Sequence, residues 1–185
     1  GRPIVGYAPG MHESELGSLI LDVPDFPKPG VIFKDMTPLL AHPAALALAV
    51  ELMANPYRGK GVELVVGAES RGFIFGTAIA QSLSAGFVPV RKPGKLPREI
   101  HGMDYALEYG TDRLEMHADA IIRGQRILLV DDVLATGGTM RAKCDLAAEI
   151  GADIAGVAVL MELTFLGGRA KLAEHGAGVH SVLKY

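Results

Sequence analysis

The chain has 185 residues, of which 49% are hydrophobic and 21% are charged, and its formal net charge is −3. This size and balance predict one globular domain with a sizeable core, and the weak negative charge gives no reason to expect a nucleic acid or an acidic membrane as partner. The single cysteine, Cys144, excludes an intrachain disulfide and suits a reducing compartment. No apolar run reaches the roughly 18 residues of a membrane span, so we expect a cytoplasmic protein.

The N-terminal third contains a predicted tail, two helices and a proline-rich loop. Residues 1–10 have no hydrophobic period and predict a tail, whereas 12–21 place apolar residues on one face of a short helix. The stretch 23–30 carries three prolines, which cannot sit inside a helix or a central strand, so a loop is predicted there. Residues 43–55 are rich in alanine and leucine and predict a helix with Pro43 in its first turn.

Short apolar strands then alternate with helical segments. The predicted strands are 63–67, 86–90, 126–132 and 153–161, the predicted helices are 71–83, 136–150 and 167–174, and 179–185 is an edge strand. This alternation is typical of an α/β fold with a mostly parallel central sheet flanked by helices. No repeat or linker interrupts it, so we predict a single domain over 1–185, with 1–23 as its N-terminal tail and short helix.

Residues 91–117 differ in character from the rest of the chain. They are polar, punctuated by proline and glycine, and basic at their start. A long segment of this kind inside a compact domain is usually functional or mobile. We predict a flexible loop followed by a hairpin, with the hairpin turn at Gly110, Thr111 and Asp112.

The string VDDVLATGGT, residues 130–139, places Asp131 and Asp132 directly before a glycine-rich turn. Backbone N–H groups in such a turn, at the start of a helix, favour an anion. Carboxylates repel phosphate but accept hydrogen bonds from sugar hydroxyls and bind Mg²⁺. The string therefore predicts a phosphorylated sugar, with its phosphate on residues 136–139. The alternative for an isolated Gly-Gly pair is an ordinary strand-to-helix connection.

The same string resembles the phosphoribosyl-pyrophosphate motif of the type I phosphoribosyltransferases. Five further blocks resemble the adenine-specific branch of that family and occur in its order: 26–40, 67–76, 88–97, 107–117 and 161–172. The resemblance covers about residues 24–172. It implies transfer of the 5-phosphoribosyl group from phosphoribosyl pyrophosphate to adenine, giving AMP and pyrophosphate for purine salvage. It also implies Mg²⁺ as cofactor and a homodimer.

The resemblance also implies which residues hold phosphoribosyl pyrophosphate. They are Glu69, Ser70, Arg71, Arg91, Lys92, Lys95, Asp131, Asp132, Ala135, Thr136, Gly137, Gly138 and Thr139. Asp131 and Asp132, together with the substrate, form the implied Mg²⁺ site. A cis peptide is implied near Glu69–Ser70. The flexible loop and hairpin of 91–117 are implied to lie over the active site, with the basic loop closing over the diphosphate. From the residues alone, a basic run of this kind is most often a solvated surface loop.

Base recognition is implied at three places. Glu108 is the implied catalytic acid or base at N7 of adenine, although its spacing alone fits an exposed hairpin residue. The implied adenine pocket consists of Ile32, Phe33, Lys34 and Leu163, of which the apolar members also suit an ordinary core. Many relatives carry arginine in place of Lys34. Ala135 stands where related 6-oxopurine enzymes carry aspartate, which disfavours hypoxanthine and guanine.

Two other functions remain open at this stage. A fold does not fix a function, so the chain could be a sensor that binds phosphoribosyl pyrophosphate or a purine and regulates a partner. The same chemistry could also act on another base.

Overall fold

The structure is a computed structural model that describes residues 11–107 and 109–185. The chain divides into two compact units, the first ending at Leu52 and the second beginning at Met53. The single-domain organisation stays a prediction, and the predicted tail over 1–10 lies outside the described residues.

The first unit is built around a small antiparallel strand pair. Its elements are helix α1 (Glu13–Leu16), a 3₁₀ turn (Gly17–Leu19), strands β1 (Leu21–Pro24) and β2 (Ile32–Asp35), helix α2 (Thr37–Ala41), and helix α3 (Pro43–Ala54), which continues past Leu52. β1 pairs with β2 in antiparallel register. The predicted proline-rich loop therefore connects two strands, and Pro24 is the last residue of the first.

The second unit contains a parallel five-stranded sheet and a hairpin. Its strands are β3 (Leu64–Ala68), β4 (Gly86–Val90), β5 (Ile100–Ala106), β6 (Thr111–His117), β7 (Arg126–Leu134), β8 (Asp153–Glu162) and β9 (Val179–Lys184). The sheet has the order β4-β3-β7-β8-β9, with every neighbouring pair parallel, and β5 pairs with β6. This arrangement confirms the predicted fold class and the edge position of the last strand.

Helices accompany the sheet because crossovers between parallel strands need them. They are α4 (Arg71–Ser82), α5 (Gly138–Ile150) and a 3₁₀ segment (Gly168–His175). The core contains strand residues such as Leu129 and Val157 together with Cys144 and Leu146 of α5, all fully buried. In the described part of the chain, no helix combines the length and apolar character that crossing a membrane requires.

Several predicted boundaries were wrong. The predicted helix over 12–21 consists of the short helix α1 followed by a 3₁₀ turn, and Leu21 already belongs to β1. Helix α5 begins at Gly138 and not at 136, because Gly137 adopts the left-handed conformation at φ +85°. β5 ends at Ala106 and β6 begins at Thr111, so Thr111 and Asp112 belong to β6 and not to the turn. The Leu107 N–H donates to the Gly110 carbonyl at 2.9 Å, and Gly110 takes the positive φ that closes the turn.

Candidate active site

The carboxyl ends of β3 and β7, the start of the segment after β4, and the hairpin enclose a cavity of about 480 Å³. Its lining consists of Ala68, Glu69, Ser70, Arg71, Lys92, Tyr105, Leu114 and all residues from 131 to 140. Ligands of parallel α/β sheets bind at this edge, and the volume suits a small molecule. The structure thus brings together the predicted phosphoribosyl-pyrophosphate residues except Arg91 and Lys95.

The glycine-rich turn lies at the N-terminus of α5, where the first N–H groups have no partner within the helix. Gly137 caps the helix, and its carbonyl accepts the Arg141 N–H at 2.8 Å. A Cβ at Gly137 would lie 2.7 Å from the Gly168 carbonyl oxygen, and a Cβ at Gly168 would lie 2.4 Å from that of Ala135. Backbone packed on backbone therefore fixes a turn whose N–H groups suit a phosphate.

Each carboxylate of the acid pair has its own cationic partner. Asp131 Oδ2 lies 2.9 Å from Lys143 Nζ. Asp132 Oδ2 lies 2.9 Å from Arg71 Nε. These two ion pairs explain how two acids can stand directly before a phosphate turn, because each negative charge is balanced within the protein.

The two carboxyl groups differ in proton affinity. Burial raises the pKa of Asp132, and the neighbouring Asp131 charge raises it further, to about 7, against the lowering effect of Arg71. Burial also acts to raise the pKa of Asp131, but the Lys143 charge and hydrogen bonds from Lys143 and Asp132 lower it overall. Asp131 is therefore the fixed anion of the pair, and Asp132 is the one whose charge the site disfavours.

The segment after β4 is tied to the loop after β3. The Glu69–Ser70 peptide is cis, which confirms that expectation. Glu69 Oε1 accepts the Lys92 N–H at 2.7 Å, and that hydrogen bond holds the pKa of Glu69 below its usual value. Arg91 Nε lies 3.3 Å from the same oxygen without lining the cavity, while Lys95 is exposed further along the loop.

Sequence reasoning missed three side chains around this cavity. The first two are Asp112 and Tyr105. Asp112 forms an ion pair with Lys92 Nζ, and its Oδ2 also accepts a hydrogen bond from the Tyr105 hydroxyl at 3.1 Å. The third is Lys143, which is fully buried. A signal for Lys143 was available, since it lies four residues after Thr139 and beside Cys144 on the face of α5 that the apolar pattern predicts to be buried.

Three of the residues predicted to read the base belong to the first unit. Ile32, Phe33 and Lys34 share β2 in the first unit, where Phe33 packs edge-on against Phe26 at 5.2 Å. Lys34 Nζ pairs with Asp22 at 2.6 Å, so this side chain has a structural partner.

The two remaining base-site predictions fall in the second unit. Leu163 follows β8, its N–H donates to the Leu134 carbonyl at 2.9 Å, and its side chain does not line the cavity. Glu108, the predicted catalytic residue, lies outside the described residues. The adenine-binding and catalytic assignments therefore stay predictions.

Comparison with known proteins gives the family. The model of the phosphoribosyl transferase domain matches residues 35–183. An adenine phosphoribosyltransferase of Rhodopirellula baltica is 54% identical over 166 residues, which cover 90% of this chain and 80% of that protein.

Two solved structures share the fold closely. The adenine phosphoribosyltransferase of Rhodothermus marinus has a TM-score of 0.89 and 51% identity over 94% of this chain and 98% of its own. The Saccharomyces cerevisiae enzyme, solved with adenine and an imino-altritol bisphosphate, has a TM-score of 0.86 and 36% identity over 92% and 98%. With the site geometry and these matches together, the chain belongs to the phosphoribosyl transferase domain family and to its adenine phosphoribosyltransferase branch.

Proposed function

We propose that this chain transfers the 5-phosphoribosyl group from phosphoribosyl pyrophosphate to adenine, releasing AMP and pyrophosphate. The observation that carries this proposal is the meeting of the Asp131–Asp132 pair and the glycine-rich turn of α5 in one cavity. The relatives named above support the reaction, and the yeast enzyme solved with adenine supports the base. As a glycosyltransferase of this kind, the chain serves purine salvage.

The cavity suggests how the substrate is oriented. The N–H groups of residues 136–139 receive the 5-phosphate, and the acid pair faces the ribose hydroxyls. The pyrophosphate then lies toward the loop after β3 and the basic segment, where Arg71 and Lys92 line the cavity. Arg91 and Lys95, which do not line it, would join only if the basic loop closes over the diphosphate.

The reaction exchanges one bond at C1 of the ribose for another. The bond from C1 to the pyrophosphate oxygen breaks and its electron pair leaves with pyrophosphate, while N9 of adenine forms the new bond to C1. Cationic side chains near the departing oxygens stabilise the charge that develops there. The base loses one proton overall, and we assign its transfer to Glu108 acting at N7. Ile32, Phe33, Lys34 and Leu163 are the proposed adenine-contacting residues.

The donor set fits Mg²⁺ bound mainly through substrate. No group of three or more His, Cys, Asp or Glu side chains within 11–107 and 109–185 could hold a metal by itself. Mg²⁺ usually binds one or two carboxylates together with substrate phosphates, and Asp131 and Asp132 border the cavity where a diphosphate would lie. These carboxylates would hold the ion with the substrate, and when bound it would offset the charge of the leaving diphosphate.

Two further features complete the proposal. We infer a homodimer, which the family resemblance supports, and a cytoplasmic location, which a single buried free cysteine suits. Sedimentation of the purified chain tests the first, since a monomer at assay concentration would contradict it.

The reaction is tested by measuring nucleotide formation from phosphoribosyl pyrophosphate and Mg²⁺ with adenine, hypoxanthine or guanine in parallel. We expect AMP from adenine alone, because Ala135 offers no carboxylate to a 6-oxopurine, and we expect its loss when a chelator is added. Product from hypoxanthine would contradict the proposed base specificity. Tight binding of adenine without any product would instead indicate the sensor function.

A further inference from the structure

Lys143 is the one charged side chain among the largest fully buried side chains of the described chain. It lies on the second turn of α5, with its Nζ 2.9 Å from Asp131 Oδ2 and 3.3 Å from the Val130 carbonyl oxygen. Burying an ammonium group is strongly unfavourable unless it is paired and hydrogen-bonded. Packing alone therefore does not explain a lysine here, and its partner, Asp131, borders the cavity.

The contacts of Lys143 leave Asp131 little freedom to move. Its Oδ2 is held by Lys143 from the core, and its Oδ1 accepts the Asp132 N–H at 2.9 Å. A Cβ added at Gly72 would lie 3.3 Å from that same Oδ1, so the start of α4 also packs closely against the carboxylate. The Asp131 side chain is only 17% exposed, and the residue lines the cavity.

The two cations of the acid pair occupy different environments. Arg71, which pairs with Asp132, is 46% exposed and lines the cavity, so solvent screens its charge. Lys143 is out of reach of both water and ligand. Charges interact more strongly where water is excluded, so Lys143 offsets the Asp131 charge whether or not the site is occupied.

We propose that Lys143 is a positioning residue of the phosphoribosyl site: acting through Asp131, it orients that carboxylate toward the ribose hydroxyls and cancels its charge against the nearby phosphate. The proposal rests on the proposed function, because it takes the cavity to be the phosphoribosyl site. It differs from the roles given to the other site residues in that Lys143 itself touches no substrate.

The test measures binding of ribose 5-phosphate by calorimetry with chelator present, so that neither Mg²⁺ nor catalysis contributes. Lys143→Met keeps the length and apolar packing of the side chain but removes its charge. We expect the Kd to rise roughly 10-fold or more, as the loss of a charged hydrogen-bonding partner implies. We expect the KM for adenine at saturating phosphoribosyl pyrophosphate to change by less than about twofold. Lys171→Met, at an exposed lysine of the 3₁₀ segment, is the matched control and should bind as the wild type does.

A double-mutant comparison shows whether Lys143 acts through Asp131. Asp131→Asn is expected to weaken binding by itself. If Lys143 acts only by way of that carboxylate, adding Lys143→Met to Asp131→Asn changes the Kd by less than about twofold. This pair also decides the question if Lys143→Met alone fails to fold. In Asp131→Asn the amide oxygen can still accept a hydrogen bond from Lys143 Nζ, and in the double variant neither charge remains.

The outcomes separate the inference from the function on which it rests. A Kd for Lys143→Met within about twofold of the wild type overturns the positioning role while leaving the phosphoribosyl site intact. A large further loss in the Asp131→Asn background also overturns it, since Lys143 would then act independently. Failure of the wild type to bind ribose 5-phosphate overturns both the inference and the site assignment.

Discussion

Asp132 combines a buried carboxyl group with a position at the edge of a ligand cavity. Its raised pKa means that the folded protein disfavours its charge, so the group lowers stability at neutral pH. Because Asp132 lowers stability, a role in ligand binding explains its presence here better than a structural role does.

We therefore predict that Asp132→Asn lowers kcat/KM for AMP formation by roughly 100-fold or more without lowering the unfolding temperature. Activity falls because the amide cannot replace the carboxylate against Arg71 and the ribose, while stability is kept because the disfavoured charge is gone. Activity assays and thermal unfolding measure the two effects. Asp153→Asn is the control and should keep full activity, because Asp153 is the first residue of β8 and does not line the cavity. Near wild-type turnover in Asp132→Asn would contradict the site.

Between elements, the segment after β8 supports the glycine-rich turn. Gly168 begins the 3₁₀ segment and meets Ala135 and Gly137 through backbone atoms alone. The shape of the turn consequently depends on a glycine about thirty residues further along the chain, which touches no proposed ligand.

Gly168→Ala is expected to displace the turn, because the new Cβ would lie 2.4 Å from the Ala135 carbonyl oxygen and 3.1 Å from the Gly137 nitrogen. We predict a loss in kcat/KM for phosphoribosyl pyrophosphate of roughly 10- to 100-fold. Steady-state kinetics measure it. Gly178→Ala is the matched control, since nothing lies within 4 Å of its added Cβ. Equal kinetics for the two variants would exclude the supporting role.

Local sequence patterns predicted most strands and helices of the second unit but not which strands are neighbours in the sheet. Short apolar strands alternating with helices indicated a parallel sheet, and 86–90 is a strand with those bounds. The order β4-β3-β7-β8-β9 was not predictable from periodicity, because crossovers can place a strand on either side of its predecessor. The hairpin turn was placed too late, since Gly110 could end the turn as readily as begin it.

In the candidate site, too, some residues could be predicted from the sequence and others could not. Acids and glycines at strand ends are visible in the sequence because the ends of parallel strands meet at one edge. Lys143 lies on the helix face that the apolar pattern predicts to be buried, but the sequence does not show which carboxylate would pair with it there. Its partner, Asp131 on β7, is known only from the structure. Ile32 and Leu163 could be named only from the family resemblance, since exposed or half-buried apolar residues carry no chemical signature of their own.

At the scale of the whole molecule, Glu162 joins three parts of the second unit. This buried carboxylate at the end of β8 pairs with Arg169 Nη2 at 2.5 Å and accepts a hydrogen bond from the Ser181 hydroxyl of β9 at 2.7 Å. The Arg169 hydrogen bond lowers the pKa of Glu162 below its ordinary value of 4.5. A lowered pKa contributes stability above the ordinary value, and that stability is lost as pH falls through the folded-state value.

We predict that Glu162→Gln lowers the free energy of unfolding at a pH of about 7 by about 1–3 kcal/mol, the range for breaking a buried pair whose arginine is partly exposed. At a pH of about 3 the difference from the wild type should shrink, since the wild-type carboxylate is then becoming protonated. Urea unfolding at both pH values measures this. A difference that stays constant with pH would show that the charge of Glu162 contributes nothing.

Cys144, a free cysteine fully buried on α5 beside Lys143, is a natural probe for the opening of this helix. Burial raises the pKa of its thiol to about 11, so at neutral pH the group is both shielded and protonated. A thiol-modifying reagent can reach it only when α5 lifts from the sheet. The rate of labelling therefore reports how often α5, the helix that begins at the glycine-rich turn, opens. Any ligand that closes the site should slow the labelling.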